Sequence, residues 1–416
     1  MRCPESCILI FLTALLPSVA LAAAPAWTAQ GGSPVVLSAD GSTVLSDGEI
    51  FALFTSQGTQ LWKGYGGSYA QSQGEIYSPL ALTADGKYAV LGSGQGLLYV
   101  DRNQKIFWQD SEFHPVDDLS LSPDENYVAS VAQNRVTVYT RGGDILWRYD
   151  RYTDLQYVGV SSDAVLTVAA SKDLIHAFNK TGYEVWNYST TGIHGVGLSP
   201  ANSDIIAASD YTLVCLHPSG NLLWKFYTGD PIRDFAISRD GSSIAVGNQA
   251  GRLVLLDRDG KQVFSTQLGN WVNAVAVSGD GSRVAAGNSD RKVYLFDRSG
   301  QLLFSDLTGS IVRGIAISSD GSALAATSDM LYYYDLKESP TPASTTVPPA
   351  ATAAVTTAVR PLETTPAPSI AAVTTPERPP AEETAPEETT TAKSGSMSLA
   401  VLAVGIGAAA WAVRRR

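Results

Sequence analysis

Cysteine is scarce in this chain, with three in 416 residues. Two of them, Cys3 and Cys7, lie in an N-terminal segment that reads as removable, so only Cys215 is expected in the mature chain. One thiol makes no disulfide framework. Cys215 sits in the run TLVCLH and reads as a small buried hydrophobe. Positive charge is also short: 29 Lys and Arg face 40 Asp and Glu, a net charge of −11. No basic stripe appears, which argues against a nucleic-acid surface. No G-x-S-x-G elbow, H-E-x-x-H helix or Walker loop occurs. The four histidines, His114, His176, His194 and His217, are dispersed with no zinc-site spacing. No catalytic residue, metal or cofactor is therefore expected.

The chain's ends differ from its body. Residues 1–22 read as a secretory signal: Arg2 in front, an apolar run from Cys7 to Leu16, and Ala20-Leu21-Ala22 as a small-x-small cleavage site. Pro340 to Thr391 holds 14 Thr and 11 Pro. Such a composition cannot bury enough apolar surface to fold, and 337–395 reads as a disordered stalk. Extended, it would reach on the order of 150 Å. Residues 396–413 carry no charge and are followed by Arg414, Arg415 and Arg416. Eighteen such residues are just long enough for one transmembrane helix, and the arginines place 414–416 in the cytoplasm. The tail lacks the spacer of a lipid-anchor signal. It resembles the C-terminal anchors of archaeal surface proteins, without the Pro-Gly-Phe motif of one processed class. The expected location is a single-pass cell-membrane anchor with the body outside.

The body repeats. Residues 238–277 and 278–317 align without a gap at a period of 40. Each holds four short apolar runs, such as VNAVAVS, RVAAGN, KVYLFDR and QLLFS, divided by Gly, Asp, Asn and Ser clusters. Short β-branched runs between such clusters are strands. Four strands in about 40 residues make one blade of a β-propeller. The turn S/T-x-D-G, or a relaxed copy, begins at Ser38, Thr83, Ser122, Ser161, Ser199, Ser238, Ser278 and Ser318. A fourth-strand aromatic recurs at Trp27, Trp62, Trp108, Trp147, Trp186, Trp224, Phe264 and Phe304. Both series count eight. An aromatic at one position in every blade reads as packing between blades. The series are offset: Trp27 precedes the first turn, and the last unit stops at Leu336 without a fourth strand. The N-terminal strand is expected to complete the last blade and close the ring, leaving no open edge. The fold class is all-β, an eight-bladed β-propeller over 23–336; a seven-bladed ring with a stray unit is the alternative.

These residues resemble known repeats. SRDGSSIAVGNQAGRLVLLDRDG is similar to WD-type propeller repeats. LDRDGKQVF, FNKTGYEVW and HPSGNLLW resemble the outer-strand motif of pyrroloquinoline-quinone-type repeats, a quinoprotein-like family that is usually eight-bladed. The quinone enzymes of that family carry a pair of adjacent cysteines, a calcium site and an Asp base. This chain lacks the cysteine pair, and the resemblance speaks for a propeller without fixing a function.

Binding is the expected activity. Five residues before each turn Ser or Thr, where the innermost strand begins, stand Ser33, Ser78, Asp117, Gln156, His194, Arg233, Asn273 and Arg313. All are polar and varied, as expected of a channel-mouth ring; strand ends facing solvent are also polar for no other reason. The spacing from aromatic to turn is 13 or 14 in six blades but 21 between Trp62 and Thr83, where Tyr65 and Tyr69 lie in a loop suited to adaptable contacts. Trp271, in LGNWVN, falls on the same face and would anchor a partner if exposed. Asn179 and Asn187 are N-glycosylation acceptor sequons. The expectation is a membrane-anchored binding or scaffold module for an envelope protein or glycan; the alternative is an extracytoplasmic enzyme with its site at the channel mouth.

Overall fold

The computed structural model describes residues 24–48, 50–64, 79–93, 96–110, 115–150 and 154–337. The segments read as signal (1–22), stalk (337–395, beyond Lys337) and anchor (396–413), and the loop holding Tyr65 and Tyr69, lie outside the described residues. Among the described residues, no helix is long and apolar enough to cross a membrane.

The strands assemble into eight four-stranded antiparallel sheets. Blades 1 to 7 run over 32–64, 80–110, 118–150, 157–189, 193–227, 232–267 and 272–307. Blade 8 takes three strands from 314–335 and its fourth from Trp27–Ala29. The ring is thus closed by its N-terminal strand, with Trp27 opposite Tyr333 and Ala29 opposite Leu331. Trp27 stacks on Tyr333 at 5.1 Å and donates Nε1–H to the Ser56 carbonyl of blade 1 at 2.8 Å.

The serine–aspartate turn explains its own recurrence. Ser38 Oγ donates to Asp40 Oδ1 at 2.6 Å and accepts from the Thr43 amide at 3.0 Å, while Asp40 also takes the Ser42 amide. Ser238 and Ser278 repeat the pattern with Asp240 and Asp280. All eight turn hydroxyl residues are buried, which favours partners inside the turn; Ser199, whose turn has Ala201 in place of the aspartate, is the exception, its Oγ having no partner among the described residues. Gly41, at φ 70°, supplies the left-handed position that a side chain would strain.

The core is divided among the interfaces between blades. Each of eight apolar clusters joins two neighbouring blades, as Trp147 of blade 3 joins Phe178 of blade 4. Six of the eight recurrent aromatics cover the glycine in the neighbouring blade's third-to-fourth strand turn; the turn facing Trp62 has Gln104 at that place, and blade 8, which faces Phe304, has no such turn. A Cβ on Gly182 would lie 2.8 Å from Trp147, and one on Gly260 2.6 Å from Trp224. Where geometry allows, the indole also donates across the interface, as Trp224 Nε1 does to the Arg258 carbonyl at 2.9 Å. The periodic aromatics are structural.

This topology fixes two faces. The serine turns and the third-to-fourth turns share one face; the loops leading into each innermost strand share the other with the channel mouth. Both ends of the ring emerge on the turn face: Leu336 donates its amide to Ser322 O at 2.7 Å, beside a serine turn, and Trp27 sits over Gly58 in a third-to-fourth turn.

Candidate functional site at the channel mouth

Five of the ring of eight polar residues line one open cavity of about 690 Å³: Ser33, His194, Arg233, Asn273 and Arg313. Asp210 and Asp234 border it too. Asp117 and Gln156 are exposed and do not line it. Asp117 turns back to its own blade, where Oδ2 accepts from the Gln133 amide at 3.2 Å. Ser78 lies outside the described residues.

Within the cavity the groups differ in what they can offer. Asn273 Nδ2 donates to Ser289 Oγ at 3.0 Å and to the Val312 carbonyl at 3.2 Å, so it is largely spent on holding blades 7 and 8 together. His194 is held below the usual imidazole range by burial, with Arg233 adding repulsion. Its Nε2 is buried and has no partner among the described residues. Arg233 is exposed and lies over the ring of Trp271, 5.5 Å from centroid to guanidinium carbon. That geometry is a cation–π contact. Trp271 is 45% exposed. The same face carries exposed Tyr211, Tyr227 and Ile311, with the two tyrosine rings 6.3 Å apart. Aromatics beside arginine are the composition of binding hot spots.

Two residues escaped the sequence reading. Asp118 and Asp234 stand four before their turn serines. Each carboxylate accepts the amide that follows it and the matching amide of the next blade: Asp118 takes Leu119 and Val158, both at 2.9 Å, and Asp234 takes Phe235 at 2.9 Å and Val275 at 2.8 Å. Burial pushes both carboxyls up to about 7 against these donors. The signal was available in the aligned repeats, where this column holds only these two acids.

Below the mouth, the channel continues as a space of about 560 Å³. The residue before each turn is aliphatic in all eight blades, from Leu37 to Ile317, and lines this part. Among the described residues, no group of three or more His, Cys, Asp or Glu side chains could hold a metal.

The sequon residues lie on the rim of blade 4. Asn179 Oδ1 closes its turn, accepting from Thr181 N at 3.0 Å and Tyr183 N at 3.1 Å. Asn187 is exposed, with Nδ2 3.4 Å from Glu184 Oε1.

The chain is a β-propeller repeat protein. A family model described as outer membrane protein assembly factor BamB matches residues 209–339. Among solved structures, the chain is similar to the C-terminal WD40 domain of Sif2, at TM-score 0.63 and 14% identity, covering 76% of this chain and 99% of that one. It is similar also to Chaetomium thermophilum Sqt1 bound to the N-terminus of the ribosomal protein L10, at TM-score 0.59 and 16% identity, with the same coverages of 76% and 99%. At these identities the likeness is one of fold. No curated protein matches the sequence.

Proposed function

We propose that this propeller is a protein-binding or scaffold module whose partner docks on the channel-mouth face. The observation that carries the reading is the joint presence, on that face, of an open cavity, the Arg233–Trp271 pair and the exposed Tyr211, Tyr227 and Ile311. Both described ends of the ring, Trp27 and Leu336, lie on the opposite face. In this reading the Thr/Pro segment is the stalk, 396–413 the membrane anchor, and the partner a protein or glycan of the cell envelope. The fold neighbour Sqt1 is bound to the N-terminus of the ribosomal protein L10, which supports a docking role for a propeller of this kind.

An extracytoplasmic enzyme is the second reading, and one observation favours it: Asp234, with its raised carboxyl, shares a cavity with the unpartnered His194 Nε2. Against it, both Asp234 oxygens already accept backbone amides. A base so engaged is poorly placed to take a proton from a substrate. The test is a photo-crosslinking residue placed at Trp271 or at Arg239 of the turn face, in the full chain in its own cells. Discrete adducts at 271 and none at 239 are expected. Equal labelling at both would overturn the reading.

A further inference from the structure

The two bridging aspartates show where the channel wall offers backbone donors. Three residues before each turn serine, the backbone sits at a non-hydrogen-bonded position of the pairing with the second strand. Its N–H therefore points into the channel. Between blades 3 and 4, and again between blades 6 and 7, two such amides from adjoining blades grip one carboxylate at 2.8–2.9 Å. Two fixed N–H donors hold both oxygens of the carboxyl directionally.

The junction of blades 8 and 1 has the same two amides, Ile315 and Val35, at the same register. Here the position of the aspartate is Gly314. A side chain there would crowd two hydroxyls, a Cβ lying 2.7 Å from Thr327 Oγ1 and 2.9 Å from Ser33 Oγ. With glycine in place, the chain furnishes no carboxylate of its own from this position. It surrounds the place with further donors instead. Thr327 Oγ1 is fully buried and unpartnered among the described residues, a costly state for a hydroxyl. Ser33 Oγ lies alongside, donating weakly to the Arg313 carbonyl at 3.3 Å. Arg313 supplies positive charge, and Arg313, Gly314, Ile315, Ser33 and Val35 all border the open mouth cavity.

We propose that the blade 8–blade 1 junction is a carboxylate-binding site, filled by a carboxylate of the docked partner: an acidic side chain or a chain terminus. The amides of Ile315 and Val35 hold its two oxygens, and Arg313 balances its charge. This rests on the docking reading above and gives it a chemistry. The remaining junctions are less suited. At most of them one of the two amides is already taken by Asp118 or Asp234. At the blade 1–blade 2 junction the position of the aspartate is Pro34, and the arginine is absent.

The test is residue-resolved hydrogen exchange on the full chain, with sodium formate as the probe and sodium chloride or formamide as controls at matched concentration. Formate is expected to slow the Val35 and Ile315 amides about tenfold, the effect of one charge-assisted hydrogen bond, and R313Q to abolish the slowing. Unchanged exchange in the wild-type chain overturns the site. An Asp234→Ala variant offers a second arm: its released Phe235 and Val275 amides should exchange faster and slow again in formate, and failure of that response contradicts the carboxylate grip itself. A pentapeptide with a free C-terminus should compete with formate, and the same peptide amidated should not. Formate binding without peptide competition would assign a free small carboxylate and overturn the partner-borne version. Adducts at position 271 with no formate response would remove this site and leave the docking face standing.

Discussion

At the scale of residues, two tryptophans sit in opposite environments. Trp147 is buried between blades 3 and 4 and packs on Phe178, with ring centroids 5.5 Å apart. Trp147→Ala is expected to cost about 3–5 kcal/mol in denaturant unfolding; a loss under about 1 kcal/mol would contradict the packing role. Trp271→Ala should change stability by no more than about 0.5 kcal/mol, as an exposed side chain. The carboxyls divide by pH in the same way. Asp118 and Asp234 have folded pKa values near 7, above their unfolded values, because burial disfavours charge. Their stabilising contribution is full below about pH 4 and lost as pH rises through about 7. In the turns burial also pushes upward, yet the serine and backbone donors outweigh it and lower Asp40, Asp240, Asp280 and Asp320. That contribution is present above about pH 4 and lost only below it. Melting temperature should therefore fall between pH 5 and pH 8, and less steeply in an Asp118→Asn, Asp234→Asn double variant. An identical slope in the variant would refute the assignment.

At the scale of elements, the closing strand matters most. Trp27–Ala29 is only three residues long, yet it covers the third strand of blade 8 and ties it to blade 1 through Trp27, Phe54 and Tyr333. Deleting 24–31 should uncover that edge and lower the melting temperature by several degrees, on the order of 1 kcal/mol or more; an unchanged value would sink the clasp. This strand was legible in the sequence because two independent series, the serine turn and the fourth-strand aromatic, were offset by one strand. Asp118 and Asp234 were not. A column read down the repeats shows an acid in two blades, but only ring closure shows that each carboxylate meets the next blade's amide. Likewise the polar ring could be named residue by residue, whereas the exclusion of Asp117 and Gln156 from the cavity depends on loop geometry that the repeat does not carry.

At the scale of the whole molecule, closure creates a division of labour. Repetition is strict in the buried turn hydroxyl and the aliphatic residue before the turn, and nearly so in the aromatic over its glycine. It relaxes at the mouth, where Ser33, His194, Arg233, Asn273 and Arg313 share a cavity but no common side chain. The mouth face is not independent of the core: Ile193, Ile232, Val272 and Val312 reach from its loops and strand starts into the clusters between blades, while their polar neighbours vary from blade to blade. Both described ends of the ring lie on the other face. The most direct test is the affinity of the protein recovered by crosslinking at position 271, compared between the wild-type chain and an Arg233→Ala, Trp271→Ala variant of equal melting temperature. Removal of a hot-spot pair should weaken binding by about 2–4 kcal/mol, roughly 30-fold or more. An equal affinity in the two proteins would contradict the assignment of the channel-mouth face as the binding surface.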